Sequence, residues 1–124
     1  MSHGKIVMLG IAFVVIIFVG FGIWNRTTPG KYDTFAQCIS DAGATFYGAF
    51  WCPHCQDQKS MFGRSAEKLP YKECSTPNGQ DQVAECDEAG VTGYPTWFFS
   101  NGEKLEGIQE FSTLSEKTGC ALPV

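Results

Sequence analysis

The sequence predicts an α/β domain with a four-stranded mixed sheet, carried behind one N-terminal transmembrane helix. Three observations predict it. Residues Ile6 to Trp24 contain no charged side chain and are mostly Ile, Val, Phe and Gly. Behind them, segments of helix and strand character follow in the order helix, strand, helix, strand, helix, hairpin, helix. A strand–helix–strand unit implies a parallel pair joined by a right-handed crossover, and a hairpin adds an antiparallel pair. The 124 residues then divide into a tail and anchor (1–25), a linker (26–32) and one domain (33–124).

The apolar run, at a rise of about 1.5 Å per residue, spans roughly 28 Å, the thickness of a bilayer's hydrocarbon core. Trp24 ends it, where interfacial aromatics are enriched. A cleaved signal peptide is the competing reading, since Gly20 and Gly22 are small. The run exceeds the usual signal core, however, and no A-x-A-like site follows, so residues 6–24 read as an anchor in the lipid bilayer.

The chain is acidic, with a formal net charge of −4, and shows no basic stripe. No nucleic acid partner is expected. Six cysteines in so short a chain fit an oxidising compartment. The expected arrangement is a single-pass membrane protein with its N-terminus cytoplasmic and its domain outside the cytoplasm. That orientation rests on cysteine usage, because Lys5 on one side and Arg26 and Lys31 on the other barely bias it.

Pro29-Gly30 marks the linker. Asp33 or Thr34 is placed to cap a helix running to Ala42, with Phe35, Cys38, Ile39 and Ala42 on one face and Gly43 as its stop. Thr45 to Phe50 reads as a buried strand. Pro53 to about Lys68 reads as a helix with an irregularity at Gly63, ended by Leu69-Pro70. Tyr71 to Cys74 is a short second strand, followed by turn chemistry at Ser75 to Gly79. Gln80 to Ala89 suits a helix closed by Gly90. Trp97-Phe98-Phe99 and Glu103 to Ile108 flank Asn101-Gly102, a hairpin signal that requires φ > 0 at both central positions. A last helix starts near Ser112 or Thr113, where Thr113 and Glu116 match a capping box, and Gly119 ends it.

The chemistry centres on Phe50-Trp51-Cys52-Pro53-His54-Cys55-Gln56. Proline suits the first turn of a helix, where its missing N–H costs nothing. Cys52 then faces the unpaired N–H groups and positive dipole end of that helix, which stabilise a thiolate. Cys55 follows three residues later on the same face, near enough to close a disulfide with it. His54 adds positive charge or a hydrogen-bond donor. Stabilising the reduced thiolate makes the disulfide a stronger oxidant. The stretch reads as a thiol–disulfide exchange site, with Cys52, Pro53, His54 and Cys55 as its catalytic residues. The metal alternative is a zinc site completed by His54 or Cys74, but zinc knuckles come as two close-spaced pairs and there is no second CxxC. No metal and no cofactor are expected.

Strand, CxxC at a helix start, helix, strand, helix, then Tyr94-Pro95 before a hairpin and a closing helix: this order resembles the thioredoxin fold over about residues 33–119. More narrowly, Phe46 to Lys59, Tyr71-Lys72-Glu73-Cys74 and Gly93-Tyr94-Pro95-Thr96-Trp97 resemble the thioredoxin-like domain fused to bacterial vitamin K epoxide reductase homologues. The resemblance implies that Cys52 is the nucleophile and Cys55 the resolving cysteine. Pro95 becomes a cis-proline beside the dithiol, with Trp51, Tyr94, Pro95 and Thr96 at a substrate-binding surface. The Pro-His dipeptide resembles that of the strong periplasmic oxidant of Gram-negative bacteria. In the fused proteins the domain exchanges equivalents with a quinone-reducing helix bundle. Here one anchor stands in that place, which implies a separate quinone-linked membrane oxidase as partner, and thiol-containing secreted or surface proteins as substrates. One departure stands out. Phe46 occupies the position, six residues before Cys52, where thioredoxins carry a buried acid that takes the resolving cysteine's proton.

Six cysteines allow 15 connectivities. The resemblance implies a structural disulfide between Cys74 and Cys86, worth about 3 kcal/mol for a loop of that size in the chain-entropy model. The alternative is a second, redox-active relay pair. With that pair assigned, Cys38 and Cys120 are left to each other. Together these readings give a membrane-anchored oxidase that donates disulfides. The same fold run as a reductase, or kept as a non-catalytic binding or chaperone module, are the alternatives.

Overall fold

The computed structural model describes every residue from Met1 to Val124. The N-terminal helix α1 runs from His3 to Thr27, buries no residue, and is long and apolar enough to cross a membrane. The domain behind it follows the order α2 (Asp33–Asp41), β1 (Thr45–Gly48), α3 (Pro53–Phe62), a 3₁₀ segment (Gly63–Lys68), β2 (Tyr71–Glu73), α4 (Ala84–Glu88), β3 (Thr96–Phe98), β4 (Lys104–Glu106) and α5 (Phe111–Thr118). The sheet order is β2-β1-β3-β4. β1 pairs parallel with β2 and antiparallel with β3, and β3 pairs antiparallel with β4. This is a thioredoxin-like fold with a four-stranded mixed sheet and one N-terminal helix.

Register fixes the core. Phe46 lies opposite Tyr71 on one side and Trp97 on the other. Its ring stacks on Trp97 at 4.7 Å and meets Tyr71 edge-on at 5.1 Å. Phe35, Ile39, Phe62 and Leu114 complete the core from α2, α3 and α5, so the helices cover the sheet with the faces that carry their apolar residues.

Local chemistry moves several expected boundaries. β1 stops at Gly48, short of Phe50, because the Cys52 N–H bonds to the Ala49 carbonyl at 3.0 Å and turns the chain toward α3. The break foreseen at Gly63 is real: φ is +56° there, and the helix tightens to 3₁₀ geometry. The helix expected over Gln80 to Ala89 covers only Ala84–Glu88. Gln82 pairs with Ser75 in an isolated bridge and the Val83 N–H bonds the Cys74 carbonyl, so those backbone groups are spent on strand-like pairing. The hairpin is not a two-residue turn. The Gly102 N–H bonds Phe99 O, the Phe99 N–H bonds Glu103 O, and only Gly102 has positive φ, the three-residue loop geometry with a bulge.

Neither expected side-chain cap forms. Tyr32 occupies the N-cap of α2 in place of Asp33 or Thr34, and α5 starts at Phe111 with Glu110 as its N-cap, which places Thr113 inside the helix. The reason is packing: Tyr32 and Phe111 meet edge-on at 5.0 Å, drawing both helix starts into the core. The linker is accordingly seated on the domain. The Tyr32 N–H donates to Ser65 Oγ at 2.9 Å, and a Cβ on Gly30 would stand 2.8 Å from the Ser65 nitrogen, an approach only glycine permits. Arg64 reaches back to the end of α1, donating to Thr28 O at 3.0 Å and Asn25 Oδ1 at 2.7 Å.

Candidate active site

Cys52 is the N-cap of α3, extended at φ −80° and ψ 117°, with Pro53 in the first helical position. Proline there leaves no N–H to satisfy, and the next free donor aimed at the sulfur is the Cys55 N–H, 3.4 Å from Cys52 Sγ. Negative charge on this sulfur therefore meets a backbone donor. On its other side the Cys52 thiol points to the Tyr94 carbonyl at 3.7 Å. The Tyr94–Pro95 bond is cis. The structure thus brings Cys52, Cys55, Tyr94 and Pro95 together from two ends of the chain.

Cys55 is fully buried, whereas Cys52 keeps a sliver of exposure at 4%. Burial pushes the Cys55 thiol up to about 12, reinforced by its hydrogen bond and proximity to Cys52 and opposed by an Ala49 backbone contact and the Lys59 charge. The two sulfurs are therefore unequal: one reachable and met by a donor, one sealed and held protonated. They are also the two cysteines outside disulfides. Cys74 joins Cys86 and Cys38 joins Cys120, with Cα atoms 5.7 and 5.9 Å apart. The first closes the loop beside the site; the second ties α2 to the segment after α5.

Pro53 and His54 are exposed. The hydrogen bond that Cys52 Sγ receives comes from the Cys55 backbone, and none reaches either sulfur from His54. Trp51 is half-exposed, meets Tyr94 edge-on at 5.8 Å, and donates its indole N–H to Ser75 Oγ at 2.9 Å. Thr96 is buried and donates to Gly93 O at 2.6 Å, which holds the loop that carries Pro95. Phe50, also half-exposed, stands beside Trp51, and both rings abut Gly79 of the Cys74–Cys86 loop. No group of three or more His, Cys, Asp or Glu side chains is arranged to hold a metal ion.

Three further residues shape the site, each lying in a stretch that carries the resemblance but with no role assigned to it from the sequence. Glu73 takes the Phe50 N–H at 3.1 Å, the Ser75 N–H at 3.0 Å and the Tyr71 hydroxyl at 2.8 Å, so one carboxylate fastens the turn before Cys52 to β2. Tyr71 packs beside the buried sulfur. Gln58, fully buried on α3, accepts from the Trp97 indole and the Gln109 N–H. An acid at the end of a predicted strand and a glutamine one turn past the CxxC were visible, but only three-dimensional register shows what they meet.

No family model matches the chain. It is similar to the thiol-disulfide oxidoreductase LTO1 of Arabidopsis thaliana, with 44% identity over 92 residues that take in 70% of this chain and 24% of that protein. The chain thus spans about a quarter of the length of the curated relative it matches.

Proposed function

We propose that this chain is a membrane-anchored thiol–disulfide oxidoreductase that donates disulfides to proteins outside the cytoplasm. The observation that carries the reading is the inequality of the dithiol: Cys52 caps α3 and keeps a sliver of exposure, and Cys55 is fully sealed one turn behind it. The name of the Arabidopsis relative supports the same chemistry.

In the forward reaction a substrate thiolate attacks Cys52 Sγ of the Cys52–Cys55 disulfide. The S–S bond breaks and Cys55 leaves as a thiolate and takes a proton. A second substrate thiolate then attacks the substrate sulfur of the mixed disulfide and releases Cys52. The substrate loses two electrons and the dithiol gains them. Half-exposed Phe50 and Trp51 and partly exposed Tyr94 give a substrate segment its contact surface, with the Pro95 ring buried behind them. The anchor in the bilayer keeps the reduced dithiol near a quinone-linked, vitamin K epoxide reductase-like membrane oxidase, which restores the disulfide.

Trapping tests it. A Cys55→Ala variant accumulates mixed disulfides through Cys52 that reductant releases, and mass spectrometry names the thiol proteins and the oxidase. A Cys55→Ala chain that captures nothing, or that captures equally well after Cys52→Ser is added, overturns the reading.

A further inference from the structure

Resting on the exchange chemistry just proposed, the cycle contains a proton problem. Whenever Cys55 attacks, a fully buried thiol must first lose its proton. The strand position beside it offers no base, because Phe46 there is apolar and stacked on Trp97. The groups that do face Cys55 are few: Cys52 on its own helix, Lys59 one turn further along α3, Tyr71 on β2, and Tyr94 from the loop before β3.

Tyr71 is the one hydrogen-bonded to a solvent-exposed carboxylate. Gly48 of β1 leaves a small slot between the two groups. A Cβ there would stand 2.9 Å from Cys55 Sγ, 2.8 Å from Tyr71 Cε2 and 3.4 Å from the Tyr71 hydroxyl oxygen. Sulfur and hydroxyl therefore border the same gap; no hydrogen bond joins them directly, so transfer between them runs through one bridging water. The hydroxyl is bonded at 2.8 Å to Glu73, whose side chain is exposed to solvent. Lys59 Nζ lies 3.4 Å from the Tyr71 ring centroid, placing positive charge where a thiolate develops.

We propose that the Tyr71 hydroxyl and the Glu73 carboxylate form the proton relay of Cys55, reaching it from β2 through the slot that Gly48 keeps open. During reoxidation Cys52 is held in a mixed disulfide with the oxidant, itself a disulfide. The Cys55 proton passes through the bridging water to the Tyr71 oxygen while the Tyr71 proton passes to Glu73. The Cys55 thiolate attacks Cys52 Sγ, the bond from Cys52 to the oxidant breaks, and the oxidant's sulfur leaves as a thiolate. The dithiol is oxidised, the oxidant's disulfide is reduced, and Glu73 returns its proton to water. When a substrate attacks the disulfide, the same path protonates the departing Cys55.

The test uses the reduced full chain in nanodiscs with oxidised glutathione as the oxidant. Rapid acid quench and mass spectrometry separate mixed-disulfide formation at Cys52 from its resolution by Cys55, between pH 6 and 9. Tyr71→Phe keeps the ring and removes the hydroxyl; it slows resolution about 100-fold at neutral pH and makes the rate rise in proportion to hydroxide, the loss expected for one general acid–base group. Glu73→Gln keeps an acceptor for Phe50 and Tyr71 but no base, and shifts resolution in the same direction. Wild-type resolution rates and pH profiles in both variants overturn the relay while leaving the exchange chemistry intact. A wild-type chain that forms no glutathione adduct at Cys52 overturns both.

Discussion

The Gln58 side-chain oxygen accepts the Trp97 indole N–H at 3.1 Å inside the core, bridging the helix that carries the dithiol to the central strand β3. The same oxygen takes the Gln109 N–H at 2.7 Å, and the Gln58 amide donates back to Gln109 O at 3.1 Å. One buried side chain thus satisfies polar groups from two other segments. Gln58→Leu keeps much of the volume and strands those groups, so denaturant unfolding should show a loss of about 2–4 kcal/mol, since each buried unpaired group costs roughly 1–3. A loss near zero would mean that these groups find other partners.

Cys55 gives the reduced protein a pH signature. Its folded-state thiol is raised to about 12 from an ordinary value of 9.0, chiefly by burial. The folded state holds that proton more tightly than the unfolded chain does. The associated stability is therefore complete below about pH 9 and is lost as pH rises toward 12, at a slope of at most about 1.4 kcal/mol per pH unit. The oxidised protein has no such thiol. Urea unfolding of the reduced and oxidised forms from pH 8 to 10.5 should diverge above pH 9, with the reduced form falling faster; parallel curves would contradict the burial of Cys55.

Arg64 holds the end of α1 against the domain through Asn25 and Thr28. Exposed hydrogen bonds of this kind contribute little to global stability, within about 1 kcal/mol. Arg64→Ala should leave the unfolding midpoint almost unchanged yet loosen the domain relative to α1. Time-resolved fluorescence anisotropy in nanodiscs reads this directly: a faster rotational component is expected in the variant, and identical decays would show that Ser65 and Gly30 suffice to seat the linker.

The parts legible in the sequence were those set by local chemistry. Apolar length marked α1, proline at the first helical position placed Cys52 at a cap, and Gly63, Gly90 and Gly119 marked breaks that the positive φ angles there require. What was not legible was decided by distant partners. The helix expected from Gln80 lost its first turn to pairing with Cys74 and Ser75, and both side-chain caps gave way to the Tyr32–Phe111 contact. The site followed the same division. Its cysteines are adjacent in sequence and could be found there, whereas the Glu73 and Tyr71 contacts depend on β1–β2 register. His54, chosen for its place between the cysteines, turns out to face solvent without bonding to either sulfur.

Equilibration against glutathione redox buffers, with peptide mapping of all six cysteines, decides most directly whether this dithiol donates disulfides. One two-electron transition confined to Cys52 and Cys55 is expected, with a potential of about −180 mV or less negative, in the range of disulfide-donating and isomerising enzymes. A transition near thioredoxin's value of about −270 mV would contradict disulfide donation, and the absence of any reversible Cys52–Cys55 disulfide would contradict the exchange site itself.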